Sequence, residues 1–357
     1  MYKINKLATI ILLPLMIISA ILSATVFDNI QIMSELLLLI FLFFLVLINK
    51  FEKEDIVLLS IFAISNLLSI YYLKPTIWML NIKQFGLPIL TLMYFKRRID
   101  NSILLHLSFI ICLLLLVIQK TIGYFPLPVS QYMVSLKDEM NGRPLGLFLN
   151  YHFSAYFVSI YLLGFSYNRK TYLIDYVIVF FFDVMTSLFS YIGQKIYTFY
   201  FRNRKPLTLT KQYFIYFISL FCFLFLLSAI LDSLEIPEGA RSGGLVVFYQ
   251  LTDLQTYIRI LHLLPNDIYA FYNQNLYDYS GTKIEGYSAT GNEISFIQIL
   301  VQGGLILGLT FLNFILKNIS FYRIFILLSL IHYAYMFSPL IIYTMCYFAN
   351  KIKKESS

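Results

Sequence analysis

The sequence predicts an all-α, polytopic integral membrane protein, and three observations carry that prediction. Of 357 residues, 59% are hydrophobic and 13% are charged, whereas soluble domains carry roughly 25% charged residues. The apolar residues fall in long runs such as "ATIILLPLMIISAILSATVF" and "SELLLLIFLFFLVLI", and about 20 apolar residues in succession let an α-helix cross a bilayer. Lys and Arg gather in short stretches between such runs, which is how spans are oriented under the positive-inside rule. The runs recur along nearly the whole chain, so residues 1–357 read as a single membrane domain.

Taken in order, the first apolar run follows "MYKINK". It reads as an uncleaved first helix rather than a signal peptide, because a second hydrophobic segment follows at once. Most of the 27 basic residues lie in "YKINK", "NKFEKE", "FKRR", "YNRK", "FRNRKPLTLTK", "LKNISFYR" and "KIKKESS". If all seven stretches are cytoplasmic, each interval between them crosses the membrane an even number of times. Residues 172–201 as one helix would reach about 45 Å, too long for one crossing. They are expected to form two short helices with an outside turn near "SYIGQK". Residues 324–350 divide near "FSP", where Pro339 disfavours an uninterrupted helix. The expected count is about 12 transmembrane helices, with both termini cytoplasmic.

Two loops then face outward, residues 120–145 and 232–293. The second is a long outside loop, far longer than a connection requires. It is acidic, with Arg241, Arg259 and Lys283 as its basic residues, and it is rich in tyrosine. Its "VVFYQLTDLQTYIRILHLL" has apolar residues at helical spacing and predicts an amphipathic helix lying at the interface. Cys112, Cys222 and Cys346 all lie in apolar runs, so no disulfide framework is expected. No Cys/His spacing suggests a metal site. The net charge of +8 sits in the short loops and is not a nucleic-acid signal.

Several polar residues interrupt this apolar background. In "RPLGLFLNYHFSAYF", Arg143 is fixed by Pro144 and followed by Gly146, at the mouth of a span beginning near Leu145. A restrained Arg at a helix N-terminus suits an anion, because guanidinium and free backbone N–H donors point together. The alternative is a snorkelling interfacial cation. Asn150 and His152 follow inside the span, either as cavity groups or as hydrogen-bonded packing. Lys195 sits in the expected "SYIGQK" turn, as a second cation near Arg143 or as a surface anchor. Arg241 and Arg259 join Arg143 outside, and several guanidiniums match a diphosphate. Glu293 opens the span "ISFIQILVQGGLILGL", as a helix-stabilising acid or as a general base. Gly303, Gly304 and Gly308 would let that span pack closely against another. Asp175 reads as interfacial, and Asp183 as a deeper group that keeps a transporter open as an alternative.

This order of motifs resembles the bacterial O-antigen polymerase and ligase superfamily, integral membrane glycosyltransferases of the GT-C type. "GRPLGLFLNYHFSAYF" resembles that family's Arg-x-x-Gly-x-Phe segment, "GQKIYTF" its short helix opened by a Ser and a cation, and "LVQGGLILGL" its closing L-x-x-x-G-L-x-G. The agreement spans roughly residues 140–310. Gln194-Lys195 replaces the usual Ser-Arg or Ser-Lys. "GNEISF" carries Glu293 where ligases usually place His-Asn or His-Ser, which favours polymerase over ligase.

The resemblance implies an enzyme of the bacterial cytoplasmic (inner) membrane. It would join undecaprenyl-diphosphate-linked repeat units at the outer face into O-antigen or capsule-type polysaccharide. Arg143 and Arg259 would hold the diphosphate with Arg241 and Lys195 as helpers, and Glu293 would deprotonate the acceptor hydroxyl. No nucleotide sugar, metal or other cofactor is implied, and a chain-length regulator is a possible protein partner. The alternatives are a ligase that transfers glycan to lipid A core and a repeat-unit flippase.

Overall fold

The computed structural model describes residues 2–22, 28–49, 51–98, 103–122, 145–167, 173–182, 184–201, 207–218, 262–266, 295–330 and 337–356. Among the described residues every regular element is a helix. In chain order these are α1 (Tyr2–Leu22), α2 (Asp28–Ile48), α3 (Lys53–Ser69), α4 (Pro75–Phe95) and α5 (Ile103–Ile122). There follow α6 (Tyr151–Phe165), α7 (Leu173–Phe181), α8 (Met185–Phe201), α9 (Ser295–Asn318), α10 (Arg323–Ser329) and α11 (Pro339–Ser356). Residues 209–218 are also helical.

Among the described residues, three helical stretches are long and apolar enough to cross a bilayer: Ile30–Ile48, Ile103–Thr121 and Gln298–Asn318. Their burial separates them. Only 22% and 28% of the first two is covered by the rest of the protein, against 72% of the third. α2 and α5 therefore present apolar side chains such as Phe44, Leu47, Leu114 and Val117 outward. A soluble monomer rarely exposes so much contiguous apolar surface, so these faces mark a membrane protein.

The interior is built on α6 and α11, which pack against each other. Every residue from Tyr151 to Gly164 is buried, and so is every residue from Leu340 to Phe348. A helix that is apolar all round belongs in a core. Tyr161 meets Phe348 edge-on at 5.1 Å, and Gly164 leaves room for Phe348 and the Tyr322 hydroxyl. α1, α4 and α5 flank this pair on one side, and α8 with α10 on another.

Most of the basic stretches come together at one face. The buried Lys96 ammonium donates to Asp55 at 2.5 Å and to Glu52 at 2.8 Å. Arg97 pairs with Glu52, and Lys317 with Glu54. Arg98 donates to Asn49 at 2.6 Å, and Asn350 donates to the carbonyls of Phe95 and Arg98. Tyr167 packs on Phe321, and Gln212 donates to the Tyr197 hydroxyl at 3.0 Å. Like-charged segments are held together here by the acids of α3 and by backbone carbonyls.

The structure corrects the expected local layout at three places. Residues 172–201 do contain two helices, but the first ends at Phe181 and the second begins at Met185, and "SYIGQK" lies inside α8. The span expected to begin near Leu145 begins at Tyr151, because Gly146 and Leu149 take positive φ of 69° and 52°. α9 is not one straight span. It breaks at Gly304 (φ 67°, ψ 166°). Pro339 opens α11, as the division near "FSP" anticipated, and takes the first-turn position where its missing N–H costs nothing.

Candidate functional site

α6 begins at the end of the fold opposite the gathered basic stretches. Its N-cap is Asn150, whose side-chain oxygen accepts from the Phe153 amide at 3.0 Å. The preceding turn is fixed by an amide-to-peptide pairing. Gln119 of α5 accepts from the Gly146 N–H at 2.7 Å and donates to the Gly146 carbonyl at 3.3 Å. The Ser154 hydroxyl closes the turn on the Leu145 carbonyl at 2.6 Å. A Cβ on Gly146 would collide with the Ser154 side chain, so both the positive φ and the close approach require glycine here. His152 is 8% exposed on the first turn, its ring 4.0 Å from that of Tyr151. Lys120, next to Gln119 at the end of α5, is an exposed cation at this same end.

A polar seam descends from this end between helices. Ser187 of α8 meets Ser159 of α6 at 2.7 Å and donates to the Ala155 carbonyl. Ser329 of α10 donates to Ser190 of α8 at 3.1 Å. The Leu330 carbonyl then accepts from the Phe296 amide at 3.2 Å. Thus the first turn of α9, two residues after Glu293, connects through α10 and α8 to the first turns of α6. Such small-residue hydrogen bonds are the usual glue between membrane helices.

The break in α9 is the other feature of this region. A Cβ on Gly308 would lie 2.8 Å from the Ile299 carbonyl oxygen, although nine residues of straight helix rise about 13.5 Å. The two halves therefore fold back on each other. The backbone groups freed at the break are taken up by residues 262–266. Leu305 N–H donates to the His262 carbonyl at 2.7 Å, Ile306 N–H to Leu263, and Asn266 N–H to the Val301 carbonyl at 2.8 Å. Tyr72, just after α3, donates to the Pro265 carbonyl at 2.6 Å. Irregular backbone at membrane depth persists only where protein or a cavity satisfies it. Of the glycines expected to pack closely against another span, Gly303 meets Phe85 of α4, whereas Gly304 packs on residues 263–264 and Gly308 on Ile299 in the other half of α9. Of the expected amphipathic helix at 246–264, residues 262–264 are not helical; the rest lies outside the described residues.

Arg143, Arg241, Arg259 and Glu293 lie outside the described residues, as does Asp183. Asn150 and His152 lie together on the opening of α6. Lys195 does not join them. Its ammonium donates to Ser166 at 2.5 Å and lies 5.6 Å from the Tyr191 ring centre. Ser166 ends α6, about 24 Å of helix from Asn150. Lys195 therefore sits toward the basic stretches rather than beside the site, and buried Asp175 interacts with it there.

No family model, curated protein or solved structure matches this chain. The residues themselves therefore carry the functional reading. Sequence reasoning missed Gln119 and Lys120, although "VIQKTI" ends an apolar run with an amide and a cation. It also missed Asn66 and Asn81, polar residues within apolar stretches that a depth argument would have raised.

Proposed function

We propose that this chain is a bacterial inner-membrane polysaccharide polymerase. It joins undecaprenyl-diphosphate-linked repeat units at the outer face of the cytoplasmic membrane. The observation that carries the reading is the shape of the α6 opening. A left-handed Gly146, clamped by Gln119, and the N-cap Asn150 form a fixed polar turn at the end of the fold away from the basic stretches. In this reading the basic face is cytoplasmic and the spans number about twelve. Arg143 and Arg259, with Arg241, hold the leaving diphosphate, and Glu293 takes the proton of the acceptor hydroxyl. Lys195 drops out of the diphosphate site, because it sits at the far end of α6.

The test is the lipid-linked glycan profile of a deletion strain complemented with wild type or Arg143→Ala. Polymerase activity predicts single repeats capping the lipid in the deletion and Arg143→Ala strains, with long chains restored by wild type. Long chains stranded on the carrier would identify a ligase. The break in α9 favours a second reading, a repeat-unit flippase, since transporters bind substrate at interrupted helices. That reading predicts loss of all outer-leaflet repeats.

A further inference from the structure

Residues 232–293 are far more than a connection needs, and the chain is held within them at one place. Residues 262–266 read His-Leu-Leu-Pro-Asn. Pro265 has no N–H of its own and disfavours helical backbone at Leu264, so the neighbouring backbone groups are free to pair elsewhere. The His262 and Leu263 carbonyls and the Asn266 N–H pair with the backbone at the break of α9. The Pro265 carbonyl pairs with a side chain instead. It accepts from the Tyr72 hydroxyl at 2.6 Å, across 193 residues of sequence. Tyr72 lies on the link between α3 and α4, both of which pack against α9. Leu263 is 59% exposed and His262 is exposed too, whereas Pro265 is buried. Hydrogen bonds, more than apolar packing, therefore keep this segment at the break.

Such a pin divides the long stretch into two shorter ones, and shorter loops cost less entropy to hold. Residues 232–261 carry Arg241 and Arg259 and run into the pin. Residues 267–294 carry Glu293, leave the pin at Asn266 and end at Ser295, the first residue of α9. Arg259 precedes His262 by three residues. Three residues reach at most about 10 Å, whatever their conformation. What fixes His262 at the break of α9 therefore also limits where Arg259 can act.

We propose that Tyr72 is a positioning residue, whose hydroxyl seats residues 262–266 in the break of α9 and so sets where the long stretch delivers Arg259. That Arg259 meets a diphosphate there rests on the polymerase reading; the seating itself does not.

The experiment follows amide hydrogen exchange by mass spectrometry in full-length protein in nanodiscs. Wild type is compared with Tyr72→Phe, which removes the hydroxyl alone, and with Tyr72→Glu, whose carboxylate opposes the Pro265 carbonyl. Tyr72 is 52% exposed, so both variants should accumulate, and Tyr72→Phe decides if the Glu variant does not. Peptides holding Asn266 and Leu305–Ile306 should exchange about fivefold faster in Tyr72→Phe, and faster again in Tyr72→Glu. Peptides of α6 and α11 should keep wild-type protection. In a complemented deletion strain both variants should shorten the glycan chains at normal protein levels. The proposal is overturned by unchanged exchange at the break, or by an equal loss of protection in α6 and α11, which would mean general loosening. Wild-type chain lengths from an unseated segment would overturn it too. A deletion strain with unaltered glycans would sink the polymerase reading while leaving the exchange result to decide the seating.

Discussion

Asn150 separates two roles that a sequence cannot distinguish. As an N-cap its oxygen is already engaged by the Phe153 amide, so its loss should act through the helix. Asn150→Ala should cost about 1 kcal/mol of stability. Asn150→Ser, which retains a capping oxygen, should recover both the melting midpoint and glycan chain length. Failure of the Ser variant to restore chain length at wild-type stability would instead make Asn150 a substrate ligand. Gly304 is the other residue fixed by the backbone. Its φ of 67° and the packing of Leu264 against it leave no room for a Cβ. Gly304→Ala should lower stability by at least about 1–2 kcal/mol from the left-handed conformation alone, read as a thermal midpoint in detergent.

Among the elements, α8 decides the fate of Lys195. Because "SYIGQK" is helical, Lys195 projects to the end of α6 at Ser166 rather than toward its start. Lys195→Met should therefore leave polysaccharide length on a gel unchanged. Short chains with normal protein levels would return Lys195 to the site. The clamp between α3 and the end of α4 makes the opposite prediction about stability. Lys96 and Asp55 are both buried and paired at 2.5 Å. Asp55→Asn leaves the buried ammonium with Glu52 as its remaining carboxylate and should cost about 1–3 kcal/mol. The loss should be insensitive to added salt, since a buried pair is poorly screened. A variant that melts like wild type would show that the pair is dispensable.

At the scale of the whole molecule, the gathering of basic stretches at one face gives a test of orientation. A reporter fused within 232–293 should read outside, and one at 202–211 inside; the reverse would overturn the assignment of the sides.

Composition and run length determined the helical, membrane character of this protein, because bilayer thickness and backbone desolvation leave an apolar chain few other choices. The polar start of α6 was legible as an anomaly, though not as a cap with a clamped glycine. Only the tertiary structure decided that Lys195 lies at the far end of α6 and that α9 folds back at Gly304. Those outcomes depend on contacts between residues far apart in the chain, such as Gln119 with Gly146 and His262 with Leu305. Local periodicity carries no information about which distant backbone will satisfy a broken helix.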